Sequence, residues 1–85
     1  MENRIGVMGI VVENMDSTGK LNAILHEYAD LILGRMGVPY REKSIRVISL
    51  IVEGNTDEIG ALSGKLGSLS GVNVKTALSK SLLYK

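Results

Sequence analysis

The sequence predicts an α+β fold in which two helices cover one face of a four-stranded antiparallel sheet, in the chain order β-α-β-β-α-β. Three observations predict it. Two runs of strand length, Ile5–Val12 and Ile45–Val52, are apolar at nearly every position. Two other stretches carry apolar residues at helical spacing behind turn and cap chemistry. Two shorter stretches alternate apolar with polar residues, and Pro39 within the first of them places that strand at a sheet edge, because proline cannot donate to a ladder.

The first strand is read from Arg4 to Glu13, with Ile5, Val7, Ile10, Val11 and Val12 giving it strong β-branched character. Asn14-Met15-Asp16-Ser17-Thr18-Gly19 supplies the turn and the N-cap of the first helix. Leu21, Ile24, Leu25, Tyr28, Leu31 and Ile32 then follow at helical spacing, so this helix is expected to end near Gly34. Met36, Val38 and Tyr40 form a short second strand, and Arg41-Glu42-Lys43-Ser44 turns the chain into the third, Ile45–Val52. Glu53-Gly54-Asn55 breaks that strand. Asn55 and Glu58 have the spacing of a capping box, and Ile59, Leu62, Leu66 and Leu69 fall on one stripe of a second helix running to about Ser70. Gly71 closes it, and Val72, Val74, Thr76 and Leu78 alternate along the fourth strand.

Right-handed crossovers arrange these strands as 4-1-3-2, the ferredoxin-like βαββαβ order. Pro39 then falls on an edge strand, and the two most continuously apolar strands fall in the centre. The 85 residues are expected to form one domain, residues 1–85.

Composition narrows function by exclusion. A hydrophobic share of 45% with 22% charged residues is that of a folding chain, not a disordered one. The net charge of +1 gives no global drive toward nucleic acid or anionic membrane, so any such contact must be local. The absence of cysteine removes disulfide, thiol and zinc-thiolate chemistry, and the lone His26 builds no metal cage within one chain. No metal ligand set, cofactor or catalytic residue is therefore assigned, and the chain is expected not to be an enzyme. Ser17 and His26 lack any spacing that brings a base to a nucleophile. The Ile5–Val12 run is too short for a membrane span and has no cleavage pattern after it, which gives a cytoplasmic expectation.

Both faces of the central strands read as apolar. The first strand offers Ile5, Val7, Gly9 and Val11 on one side and Gly6, Met8, Ile10 and Val12 on the other, and the third offers Ile45, Val47, Ser49 and Ile51 against Arg46, Ile48, Leu50 and Val52, so whichever face the two helices leave open carries apolar residues. A contiguous patch of that kind predicts self-association through the sheet, as a dimer or tetramer. Gly60, Gly64 and Gly67 lie opposite the leucine stripe of the second helix, a small-residue face for close approach or simply a poor outward face.

Two segments are candidates for binding. The Asn14, Met15, Asp16, Ser17, Thr18, Gly19 turn opens a helix, where free backbone N–H groups receive an anionic group or are merely capped. Arg35, Arg41, Lys43 and Arg46, with Tyr40 beside them, form a basic hairpin that either contacts nucleic-acid phosphates or protects a sheet edge from aggregation. The aromatic platform of RNA-recognition sheets is missing from the third strand.

The segment Val11-Val12-Glu13-Asn14-Met15-Asp16-Ser17-Thr18-Gly19-Lys20-Leu21-Asn22-Ala23-Ile24 resembles the opening of ACT domains: strand, acidic residue, turn with glycine, helix. Ile45–Glu53 followed by Leu62, Leu66, Leu69, Gly71 and Val72 resembles their second half, so the resemblance covers nearly the whole chain. More narrowly, the sequence is similar to the iron-only hydrogenase system regulators, an ACT-like family whose fold is similar to the C-terminal domain of nickel-responsive repressors. The resemblance implies a regulatory homo-oligomer with a small-molecule effector or a protein partner, the effector lying at the Asn14–Gly19 turn against a neighbouring chain. The chain departs from the nickel-responsive repressors in having one histidine and no cysteine, and with a strand beginning at Arg4 no ribbon-helix-helix segment is expected ahead of it.

Overall fold

Alternation of side chains along two long apolar strands sorts the molecule into a covered and an open side. The computed structural model describes residues 2–81. Its elements are β1 (Arg4–Val12), α1 (Thr18–Glu27), β2 (Ile32–Tyr40), β3 (Ile45–Gly54), α2 (Thr56–Gly67) and β4 (Val72–Leu78), with short 3-10 turns at Met15–Ser17, Ala29–Leu31 and Arg41–Lys43. The four strands form one antiparallel sheet in the order β2-β3-β1-β4, the expected 4-1-3-2 arrangement read from the other edge. Pro39 lies on edge strand β2, opposite Arg46.

On the helix side, Met8, Ile10 and Val12 of β1 and Ile48, Leu50 and Val52 of β3 are buried against Leu21 and Leu25 of α1 and Ile59, Leu62 and Leu66 of α2. This single layer of aliphatic residues is the core, and its burial at roughly 25 cal/mol per Å² of apolar surface is the main force holding helices to sheet. The capping box at α2 forms as read: Asn55 Oδ1 accepts from the Glu58 N–H at 2.8 Å, and Glu58 Oε1 accepts from the Asn55 N–H at 3.1 Å. Lys65 of α2 donates to Glu27 of α1 at 2.9 Å, and that carboxylate, with Tyr28 beside it, raises the lysine pKa. Both side chains are largely exposed, so the pair contributes little to stability.

The first helix is shorter and the second strand longer than the sequence suggests. α1 ends at Glu27, not near Gly34, and β2 begins at Ile32, not Met36. Leu31 and Ile32 fit a helical stripe and a strand equally well, and pairing decides between them. Tyr28 leaves the helical region at φ −106°, ψ 23°, and Ile32 enters the ladder opposite Val52. The register then shifts between Ile32 and Gly34, which leaves Leu33 as an irregularity in the strand. Two smaller differences remain: β3 continues through Glu53 and Gly54, which pair with Ile5 and Arg4, and α2 stops at Gly67, with Ser68 as its C-cap, its N–H still donating to the Gly64 carbonyl. Gly71 has φ +70°, and a Cβ there would lie 2.6 Å from Asn14 Cβ and 2.8 Å from the Asn14 nitrogen, so this corner accepts only glycine.

Candidate functional site

The Asn14–Gly19 turn and the tip of the basic hairpin lie at one end of the sheet, because Val12 pairs with Arg46 and Arg46 pairs with Pro39. The turn uses most of its polar groups internally. Asn14 Oδ1 accepts from the Asp16 N–H at 3.0 Å, the Asn14 carbonyl accepts from the Ser17 N–H at 3.0 Å, and the Met15 carbonyl accepts from the Thr18 N–H. Three of the backbone donors that an anion would use are therefore engaged. The Ser17 hydroxyl is buried and donates to the Ser70 carbonyl at 2.7 Å, while the Asn14 amide donates to Ser70 Oγ at 3.2 Å. These bonds tie the turn to the α2–β4 corner. Met15, Asp16 and Gly19 remain exposed.

Met15 reaches the hairpin. With Pro39, Tyr40, Arg41, Ser44, Ile45 and Arg46 it lines a recess of about 290 Å³. The hairpin tip is built by the Arg41–Lys43 3-10 turn and by Ser44, whose φ of 53° places it in the left-handed region. Among the described residues, none of Arg35, Arg41, Lys43 and Arg46 forms an ion pair. The four cations do not make one patch, however. Arg35 lies six residues before Arg41 on an extended strand, about 20 Å away at ~3.3 Å per residue.

Arg35 instead lines a larger groove of about 480 Å³ between α1 and β2, together with Asn22, Leu25, His26, Ala29, Ile32, Leu33 and Gly34. The sequence concealed this groove by offering a helix that runs through Leu33. The signal that would have exposed it is the polarity of Asn22 and His26, one turn apart on the same face of α1. His26 is exposed, and Ser17 is turned inward to Ser70, so the structure does not bring the two together. Among the described residues, no three His, Cys, Asp or Glu side chains cluster as metal ligands, and no helix is long and apolar enough to cross a membrane.

The open face of the sheet is the most extended feature. Its cross-strand rows read Val38–Val47–Val11–Asn73, Met36–Ser49–Gly9–Lys75 and Gly34–Ile51–Val7–Ala77 from β2 to β4. Val7, Met36, Val38, Val47 and Ile51 are all exposed, Met36 at 66%. The outward glycines of α2 are open as well, with no atom within 4 Å of a Cβ built at Gly60, Gly64 or Gly67.

Comparison with known proteins reaches the whole fold. The solved structure of the uncharacterised protein TM1266 from Thermotoga maritima is 42% identical, covers 93% of this chain and 100% of that one, and superposes with a TM-score of 0.88. The ACT domain of a GTP pyrophosphokinase from Chlorobium tepidum superposes at 0.66 with 20% identity, covering 98% of this chain and 93% of that one. CPII, a nitrogen regulatory PII-like protein from Thiomonas intermedia solved with ADP, AMP and bicarbonate, superposes at 0.51 with 15% identity, covering 92% of each chain. The last two are likenesses of fold alone. No match to a curated protein was found. The family model of TM1266-like iron-only hydrogenase system regulators matches residues 4–76, and the chain, with its ACT-like fold, belongs to that family.

Proposed function

We propose that the protein is a non-enzymatic regulatory module that works as a homo-oligomer, two copies meeting through the open faces of their sheets, and that it responds to a small effector or protein partner at the Asn14–Gly19 end. One observation carries the reading: the helix-free side of the sheet presents a continuous apolar surface across β2, β3 and β1. Monomeric proteins rarely leave contiguous patches of this kind in water. Across β2, β3 and β1 these rows hold no charge and one polar side chain, Ser49, while Lys75 lies at the β4 margin, so a partner must itself be largely apolar and flat. A second copy of the same face meets both conditions, related by a two-fold axis. Light scattering at micromolar concentration is expected to give at least twice the 9.1 kDa chain mass, and a mass of 9.1 kDa would contradict the reading.

The effector end has its own test. Gly19 is exposed, with no atom within 4 Å of a Cβ built there, so Gly19→Trp fits without disturbing the core. The substitution is expected to weaken an effector that copurifies from native cells by at least about tenfold, by obstructing the turn. Unchanged affinity in a folded variant would place the effector elsewhere.

Arg41, Lys43 and Arg46 at one hairpin end, without an ion-pair partner among the described residues, favour a second reading, contact with nucleic-acid phosphates. The leading reading expects no duplex binding at low salt that Arg41→Glu with Lys43→Glu removes. Binding whose log–log salt slope drops by about 2 in that variant would favour the second reading instead.

A further inference from the structure

We infer that the groove between α1 and β2 binds a small monocarboxylic acid with an apolar body. The groove separates two chemistries. Leu25, Ala29, Ile32 and Leu33 make an apolar floor and wall, while Asn22, His26 and Arg35 place hydrogen-bond donors among them. No acid lines it. Its volume of about 480 Å³ lies within the ~300–1,000 Å³ range of small-molecule sites.

Each donor is placed by the backbone. Asn22 and His26 stand one turn apart on α1, and Arg35 pairs in register with buried Leu50, which puts it on the helix side of the sheet. β2 is an edge strand, and Arg35 is exposed there beside α1. Among the described residues, its guanidinium has no acidic partner. A guanidinium grips one carboxylate through two parallel N–H donors, and an amide and an imidazole on the facing helix add to that clamp.

The apolar lining decides against other occupants. A metal ion would find one imidazole and one amide, and no carboxylate or thiolate. A polynucleotide would need the hairpin cations, of which Arg46, opposite Pro39, lies about 13 Å and Arg41 about 20 Å along the strand. Gly34 and Arg35 also border the open face beside Met36, Ser49 and Ile51, but the α1 wall of the groove, with Asn22, Leu25, His26 and Ala29, lies on the helix side, so a second chain packed on the open face would leave that mouth uncovered. The site thus stands or falls independently of the assembly and of the Asn14–Gly19 turn.

The test is a titration of the full chain followed by amide NMR, with phenylacetate, its neutral isostere phenylacetamide and inorganic phosphate as probes. Phenylacetate is expected to shift the signals of Asn22, His26, Leu33 and Arg35 with a dissociation constant of about 1 mM, as befits a fragment-sized ligand. Arg35→Gln should weaken it about tenfold or more, and Arg41→Gln should leave it unchanged. Four results would overturn the inference: no shifts at about 20 mM ligand, shifts confined to Met15, Tyr40 and Arg46, equal binding of the amide, or phosphate binding as tightly as phenylacetate.

Discussion

Val7→Lys combined with Val47→Lys is expected to yield a folded monomer. Both residues lie on the open face, 41% and 44% exposed, on the two central strands and in different cross-strand rows. In a single chain the new ammonium groups remain in water, and the core residues on the opposite side of β1 and β3 are untouched. In a two-fold assembly every substitution counts twice, so four lysines enter an apolar interface at a cost of several kcal/mol from desolvation and like-charge repulsion. Every ~1.4 kcal/mol is a factor of ten, and the concentration needed for association is expected to rise at least ~100-fold. Sedimentation should show the monomer, and circular dichroism should show an unchanged fold. An unaltered oligomer would move the interface off the sheet face.

Leu50→Ala has the largest expected effect on folding. Leu50 is fully buried at the centre of β3, between Met8 on β1 and Arg35 on β2, with the helices above it. Truncation there leaves a cavity and is expected to cost ~2–5 kcal/mol. A chain of this length has a total of roughly 4–13 kcal/mol at ~0.05–0.15 kcal/mol per residue, so the loss is a large fraction of it. Urea unfolding should show a lower midpoint with an unchanged slope. The neighbouring Ile51→Ala points the other way, from a residue 40% exposed on the open face. Its cost should be below ~1 kcal/mol in dilute protein and should grow with protein concentration, as it does for a residue buried only on assembly. A concentration-independent cost for Ile51→Ala would mean that the face stays wet.

Local chemistry made most of the fold legible. Pro39 marked an edge, Asn55 and Glu58 marked a helix start, and the β-branched runs marked the two central strands. Each of these signals is contained in a few neighbouring residues, which is why it survives without tertiary information. The end of the first helix depends on a non-local choice, whether Ile32 turns inward along a helix or pairs with Val52, and sequence spacing is silent on it. That ambiguity hid the α1–β2 groove, since a helix drawn through Leu33 fills the space that the groove occupies. The binding candidates were legible as residues and not as arrangements. Met15 joins Arg41 and Arg46 at one recess only because β1 and β3 are in register there, and Arg35 separates from them only because β2 is extended.

Three methionines give the most direct reading of whether the open face is covered. Met8 is buried in the core, Met15 is 40% exposed in the turn, and Met36 is 66% exposed on the open face. In protein labelled at its methionine methyl groups, a soluble paramagnetic agent broadens each signal according to its access to solvent. With the open faces packed together, Met36 is expected to be shielded like Met8 while Met15 is broadened, and Met36 should become accessible in the Val7→Lys, Val47→Lys variant. A Met36 signal broadened as strongly as that of Met15 in the native protein would contradict that packing.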